Sequence, residues 1–240
     1  MIFRPSIGRE NAVGSSNTYD IVLLVDISAS MGVEDGNSAR NSRIVAVQDF
    51  LTKFLETNGN SRYSVVTFSG RANTELPLTY DTHTTKVSVD TLTLVTDYNA
   101  NGTLLSKGLI EAEKRLFPEN QEINNRKKII ILLSDGEEID GNKTELDNIL
   151  SKLSSKGASI VTVGVGSLSG GRIPQYEFNG QTYYYRFQGN EVISKLNEDS
   201  LKLIAGRLGG QYLKLNDTLT AQKLIDTLPA VENTEGTSSD

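Results

Sequence analysis

The chain alternates between short, unbroken apolar runs and longer stretches in which apolar residues recur at helical spacing. Ile21–Val25 is an apolar run with the length and β-branched character of a strand buried on both faces. Ile44, Val47, Phe50, Leu51, Phe54 and Leu55 then recur as one face of a helix, which should stop near Asn58-Gly59. Tyr63–Phe68 reads as a second strand, with a short edge strand around Thr74–Leu78. Asp81 opens a helical segment to about Leu94, and Thr103–Phe117 is amphipathic and closed by Pro118. Lys128–Leu133 is the most hydrophobic strand. A helix at Thr144–Ser155 follows it, then a strand at Ala158–Val165. Residues 166–190 break the rhythm, and Tyr176–Phe187 around Asn179-Gly180 predicts an inserted β-hairpin. A helix near Glu198–Leu208, a strand at Gln211–Leu215 and a helix at Leu219–Leu228 complete the pattern. Strands alternating with helices predict an α/β fold: a central, mostly parallel sheet with one antiparallel edge strand and helices on both faces.

Composition narrows this only at the margins. The 240 residues suffice for one core, so one domain with ragged ends is expected: a lead-in over 1–17, the domain over 18–228, and a flexible tail or linker over 229–240. No run approaches the roughly 18 apolar residues of a membrane span, and Met1–Gly8 lacks the apolar core of a signal peptide. The chain therefore reads as a cytosolic protein or as a soluble piece of a larger one. A net charge of −6 argues against nucleic acid as a partner, and Arg126-Lys127-Lys128 is expected to keep a sheet end soluble. The absence of cysteine excludes disulfides and thiolate metal sites, leaving the redox compartment open.

The candidate chemistry sits where apolar strands end. Ile21–Val25 runs into Asp26-Ile-Ser28-Ala-Ser30, and Lys128–Leu133 runs into Ser134-Asp135-Gly136. Ligands of open α/β sheets bind at the carboxyl ends of the strands. Carboxylates and hydroxyls are hard oxygen donors, suited to Mg²⁺ or Mn²⁺ and poorly suited to zinc or copper. Taken singly each motif has a plain explanation. Asp26, Ser28 and Ser30 can cap a helix or close a turn, Thr103 can be a helix N-cap, and Asp135-Gly136 can be a turn.

As a set, Asp26-x-Ser28-x-Ser30, the loop Asn101-Gly102-Thr103 and Asp135-Gly136 resemble the metal-ion-dependent adhesion site of von Willebrand factor A domains, over about residues 18 to 228. The resemblance implies the Rossmann-like fold of that family, and no catalytic residues. It implies a divalent cation (Mg²⁺ or Mn²⁺, with Ca²⁺ a further candidate) bound directly by Ser28, Ser30 and, in one state, Thr103. Asp26 and Asp135 act largely through water. It also implies an adhesion or scaffolding function, in which a protein partner offers an acidic side chain to the cation. Asn101, Gly102, Gly136 and Glu137 are candidates for the rim that meets the partner.

Arg4-Pro-Ser-Ile-Gly8, Leu76-Pro-Leu-Thr79 with Asp81, and Ile193–Glu198 with Gly209-Gly-Gln-Tyr212 resemble bacterial membrane-anchored, Bat-type (aerotolerance-related) proteins. That resemblance implies an extracytoplasmic domain held by transmembrane segments absent from this chain. Other A-domain proteins, or a MoxR-type ATPase system, are then candidate partners.

The remaining features read as ordinary. His83, the only histidine, is expected to be solvated, so no histidine metal site or Ser–His triad can form within one chain. Gly164-Val-Gly166 with Gly170 misses the dinucleotide spacing and does not open a helix. Glu137, Glu138 and Asp140 read as a solvated loop or an acidic rim. Asp35, near the first metal motif, reads as a loop residue or as one that tunes the cation, the loop reading being favoured. Tyr176 and Tyr183–Tyr185 read as a contact surface or as packing of the hairpin onto the sheet. Two other functions compete with adhesion. One is a Mg²⁺-assisted hydrolase or phosphatase with Asp26 as nucleophile. Against it, Ser28 stands where aspartyl phosphatases of the haloacid dehalogenase type carry a second Asp. The other is a structural scaffold whose metal only steadies the loops.

Overall fold

β1 (Tyr19–Asp26) is buried along its whole length, because β2 (Arg62–Phe68) and β4 (Lys127–Ser134) pair with it in parallel on either side. A computed structural model describes residues 19–36, 41–58, 61–95, 103–119, 125–137, 143–216 and 218–230. β3 (Ala72–Thr79) runs antiparallel to β2 at one edge. β5 (Ala158–Gly164) continues the parallel sheet beyond β4.

The next strands are short and lie outside the main sheet. They are β6 (Gly171–Arg172), β7 (Pro174–Phe178), β8 (Gln181–Tyr184), β9 (Arg186–Phe187), β10 (Asn190–Glu191) and β11 (Ile193–Ser194). β12 (Gln211–Lys214) returns to close the far edge beside β5. The main sheet has six strands in the order β12-β5-β4-β1-β2-β3.

Alternation along β1 builds two cores. Ile21, Leu23 and Val25 pack with α1 (Arg43–Thr57), α2 (Thr82–Asp90) and α6 (Ala221–Asp226) on one face. Val22 and Leu24 pack with α3 (Leu105–Leu116), α4 (Lys143–Ser155) and α5 (Glu198–Arg207) on the other. The chain leaves β1 for β2 and β3 on one side and uses β4, β5 and β12 on the other. The strand order therefore reverses between β1 and β4, and the crevice at that reversal is where open sheets take ligands.

The α/β architecture and the antiparallel edge strand match the expectation, and several details differ. α2 ends at Asp90 rather than near Leu94, with the Asp81 side chain accepting from Thr84 N at 3.0 Å as its N-cap. Beyond Asp90 the backbone leaves the helix to reach β1, where Val95 N donates to Ile27 O at 2.9 Å. Thr103 is not an N-cap: α3 begins one residue later, with Leu104 in that position and no side-chain cap.

The inserted segment is longer than 166–190 and holds two hairpins. Asn179-Gly180 turns β7 into β8, and Gln188-Gly189 turns β9 into β10, each pair with positive φ as two-residue hairpin turns require. β6 and β11 pair at the base. The hairpins do not pack onto the main sheet. Tyr176 stacks on Tyr183 with centroids 4.8 Å apart, Arg172 lies 3.8 Å over the Tyr184 ring, and Phe178 stays 60% exposed.

The basic run before β4 does more than keep a sheet end soluble. Arg126 and Lys128 converge with Arg62 on the buried carboxylate of Asp20, at 2.6, 2.5 and 2.7 Å. An ionised carboxylate loses its hydration at the buried end of β1, so neighbouring strands must supply its partners. His83 is exposed, as expected.

Candidate metal centre

Asp26 is the last residue of β1 and is fully buried. Its Oδ1 accepts from the backbone N–H of Ser28 at 2.9 Å, and its Oδ2 accepts from Ser134 Oγ at 2.7 Å. The first bond bends the chain sharply out of the sheet and into a single 3-10 turn, Ala29–Gly32. That turn brings the Ser28 and Ser30 hydroxyls within 3.0 Å of each other. Gly32 supports the bend from behind, since a Cβ there would stand 3.1 Å from Pro174 at the start of β7.

Asp135 follows β4 directly and is also fully buried. Its Oδ1 accepts from Glu137 N at 3.0 Å, its Oδ2 accepts from Arg43 Nη1 at 2.7 Å, and the Ser30 hydroxyl bonds to it as well. Gly136 has φ +71°, and a Cβ on it would lie 2.5 Å from Asn197 O, so only glycine fits the exit from β4. Thr103 is 5% exposed, and Leu104 N donates to Ser69 O at 2.8 Å, which holds this loop against the carboxyl end of β2. Ser69 Oγ is buried without a hydrogen-bond partner among the described residues.

Asp26, Ser28, Ser30 and Asp135 are thus joined by hydrogen bonds or charge, and Thr103 stands at the neighbouring strand end. Gly136 and Glu137 follow Asp135, with Glu137 Oε1 accepting from Lys195 N at 2.8 Å. Asn101, Gly102, Glu138 and Asp140 lie outside the described residues.

Three further residues belong to this cluster, and of them only Arg43 carries no signal in the sequence. Ser134 donates to Asp26 and accepts from Gly136 N at 3.0 Å, bridging the two strand ends. Asp35 is no plain loop residue: its two carboxylate oxygens take Arg43 Nε at 2.7 Å and Nη2 at 3.1 Å. Arg43 is 0% exposed. Helix periodicity, which picks out Ile44 and the apolar positions after it, assigns no partner to Arg43.

Burial dominates the electrostatics of this cluster. Burial, and then the nearby Asp135 carboxylate, push the Asp26 carboxyl up to about 7. Burial also raises Asp135, against the opposing pull of Arg43. For Arg43 itself, burial works against the cation and the two aspartates overcome it. No group of three or more His, Cys, Asp or Glu side chains gathers among the described residues. The donor set is instead two buried carboxylates with neutral hydroxyls, which fits a small, hard divalent cation that keeps part of its water.

The family model for the von Willebrand factor type A domain matches residues 20–199, and the chain belongs to that family. Among solved structures it is similar to an aerotolerance-related membrane protein from Bacteroides fragilis. Identity there is 25%, with a TM-score of 0.73 over 87% of this chain and 96% of that one. It shares its fold with the manganese-loaded TRAP protein of Plasmodium vivax, with 17% identity and a TM-score of 0.60 over 89% of this chain and 73% of that one. An uncharacterized protein of Borreliella burgdorferi is 24% identical over 96% of this chain, which spans 64% of that relative's length.

Proposed function

We propose that this domain is a divalent-cation-dependent protein-interaction module, with Ser28, Ser30 and Thr103 as hydroxyl ligands. Asp26 and Asp135 hold the cation largely through water and keep the hydroxyls in place. The observation that carries the reading is the pair of buried carboxylates at the adjacent ends of β1 and β4, with the Ser28 and Ser30 hydroxyls 3.0 Å apart beside them. Arg43 binds Asp135 on one side, so a second cation is wanted between Asp26, Asp135 and the two serines.

When bound, the cation supplies a Lewis-acidic position that an acidic side chain of a partner can complete. Neutral hydroxyls leave its charge under-compensated, which favours that external carboxylate. Gly136, Glu137, Asn101 and Gly102 would border the contact. Mg²⁺ and Mn²⁺ suit the donors best. The donor chemistry supports a non-enzymatic role. Both Asp26 oxygens already accept hydrogen bonds, from Ser28 N and Ser134 Oγ, and the nearby Asp135 carboxylate is held by Arg43.

The likeness to the Bacteroides fragilis membrane protein supports a membrane-anchored setting, which we place on the extracytoplasmic face. No described helix is long and apolar enough to cross a membrane, so the anchors would lie outside the described fold. Calorimetric titration of Mg²⁺ or Mn²⁺ into the EDTA-stripped protein should give one saturable site that Asp26→Ala abolishes, with the circular dichroism spectrum retained. Heat from both proteins alike, or from neither, would sink the reading. Partner capture that survives EDTA, with only the melting temperature falling, would favour a purely structural metal.

A further inference from the structure

We propose that Arg43 is a positioning residue that couples the cation centre to the inserted segment 167–194, an inference that rests on the cation-binding reading above. Arg43 has five N–H donors, and every one has an acceptor. Nε and Nη2 grip the two oxygens of Asp35. Nη1 donates to Asp135 Oδ2 at 2.7 Å and to Ser194 Oγ at 2.6 Å, with Ser30 O at 3.4 Å, and Nη2 reaches Ser194 O at 3.2 Å. Asp35 Oδ2 in turn accepts from both N and Oγ of Ser167, at 3.0 and 2.8 Å.

One buried guanidinium therefore joins the turn after β1, the end of β4 and the last strand of the insertion, and Asp35 extends the network to Ser167 at the exit of β5. The backbone makes room for it. Gly166 has φ +107°, and a Cβ there would stand 2.5 Å from Arg43 Nε. A buried arginine with satisfied donors at three chain segments, and a fourth reached through Asp35, is costly to displace, so it moves with all of them or with none.

Asp135 Oδ2 is the shared point. It accepts from Arg43 and, at 3.4 Å, from Ser194 Oγ, while Asp135 O accepts from Asn197 N at 2.7 Å. Any reorientation of the Asp135 carboxylate toward a bound cation reaches the base of the insertion through these bonds. The insertion carries the exposed Tyr176, Phe178 and Phe187. Its base, where β6 pairs with β11, thus reports on the state of the cation centre. Lysine keeps the charge but cannot grip the Asp35 carboxylate in two places while reaching Asp135 and Ser194.

The test uses the whole chain, Mn²⁺ as the probe, calorimetry for affinity and amide hydrogen exchange for the insertion base. In the wild type, saturating Mn²⁺ should slow exchange over 167–172 and 192–197. Arg43→Lys should bind Mn²⁺ about 10–100-fold more weakly, as loss of an outer-shell partner commonly does, and should lose the exchange response even at saturation. Ser194→Ala is the second variant, because it removes one hydroxyl and leaves the ion pairs intact. It should bind Mn²⁺ within a fewfold of wild type and show a reduced exchange response.

A folded Arg43→Lys with wild-type affinity and a wild-type exchange response overturns the coupling and leaves the cation site standing. An undiminished response in Ser194→Ala overturns the coupling as well, and it decides the matter if Arg43→Lys does not fold. No Mn²⁺ binding by the wild type overturns both readings together.

Discussion

At the scale of single residues, the buried carboxylates around the sheet are each answered by another segment of the chain. Asp26 meets Ser134 and the Ser28 amide, Asp135 meets Arg43, and Asp20 meets three cations. The Asp20 set yields a pH prediction. Burial alone would raise its pKa, and Arg62, Lys128 and Arg126 together bring it down to about 2. A carboxyl depressed in the folded state adds stability above its unfolded pKa of roughly 3.9, and that stability is lost as pH falls toward the folded value. Allowing for solvent at the rim, the contribution is on the order of 1–2 kcal/mol. Urea melts of wild type and Asp20→Asn should therefore differ most near pH 5 and converge as pH approaches 2. A difference that stays constant over that range would reject the assignment. Gly136→Ala should destabilise by about 2–3 kcal/mol, because a left-handed φ and a contact with Asn197 O both oppose a side chain. A chemical melt of the variant measures this.

At the scale of elements, the sheet and the insertion obey different rules. β1, β4 and β5 are apolar on both faces, and the two cores hold them from both sides. β7 to β10 hold mainly each other through hairpin pairing, the Tyr176–Tyr183 stack and Arg172 over Tyr184. None of their residues belongs to either core cluster. Replacing residues 174–191 with a short Gly-containing turn between β6 and β11 should leave a cooperative fold. Its melting temperature should stay within about 4 °C of wild type, since so little core area is removed. Thermal melts followed by circular dichroism decide this, and a collapse of the transition would show that the hairpins stabilise the sheet.

At the scale of the whole molecule, the fold has two poles. Both ends of the described fold meet at one of them, where the Tyr19 hydroxyl donates to Pro229 O at 3.1 Å. The candidate cation centre lies at the other, roughly 25 Å away along an eight-residue strand. A tether at either end would therefore leave the cation face free. Attached to a surface by its first or its last residue, the protein should capture an acidic partner equally well, and EDTA should abolish capture in both formats. Surface plasmon resonance in the two orientations makes the comparison. Capture in one orientation alone would place the partner contact away from the cation face.

The sequence by itself determined the α/β alternation, the edge strand and the strand ends bearing Asp26, Ser28, Ser30 and Asp135. Apolar runs and their abrupt polar ends are local signals, set by burial on two faces. It also carried the Asn179-Gly180 turn, because left-handed φ restricts residue choice locally. It did not carry the length of α2, which ends when the backbone is drawn to Ile27, or the N-cap of α3, which is Leu104 rather than Thr103. Nor did it reveal the partners of Asp20 or the role of Arg43. Arg43 and Asp135 are 92 positions apart, and Arg43 and Ser194 are 151 apart. Such pairings depend on which strand ends the sheet order makes neighbours. Only the tertiary structure, by placing β4 beside β1 and returning the insertion to the same pole, decided which buried charges would answer one another.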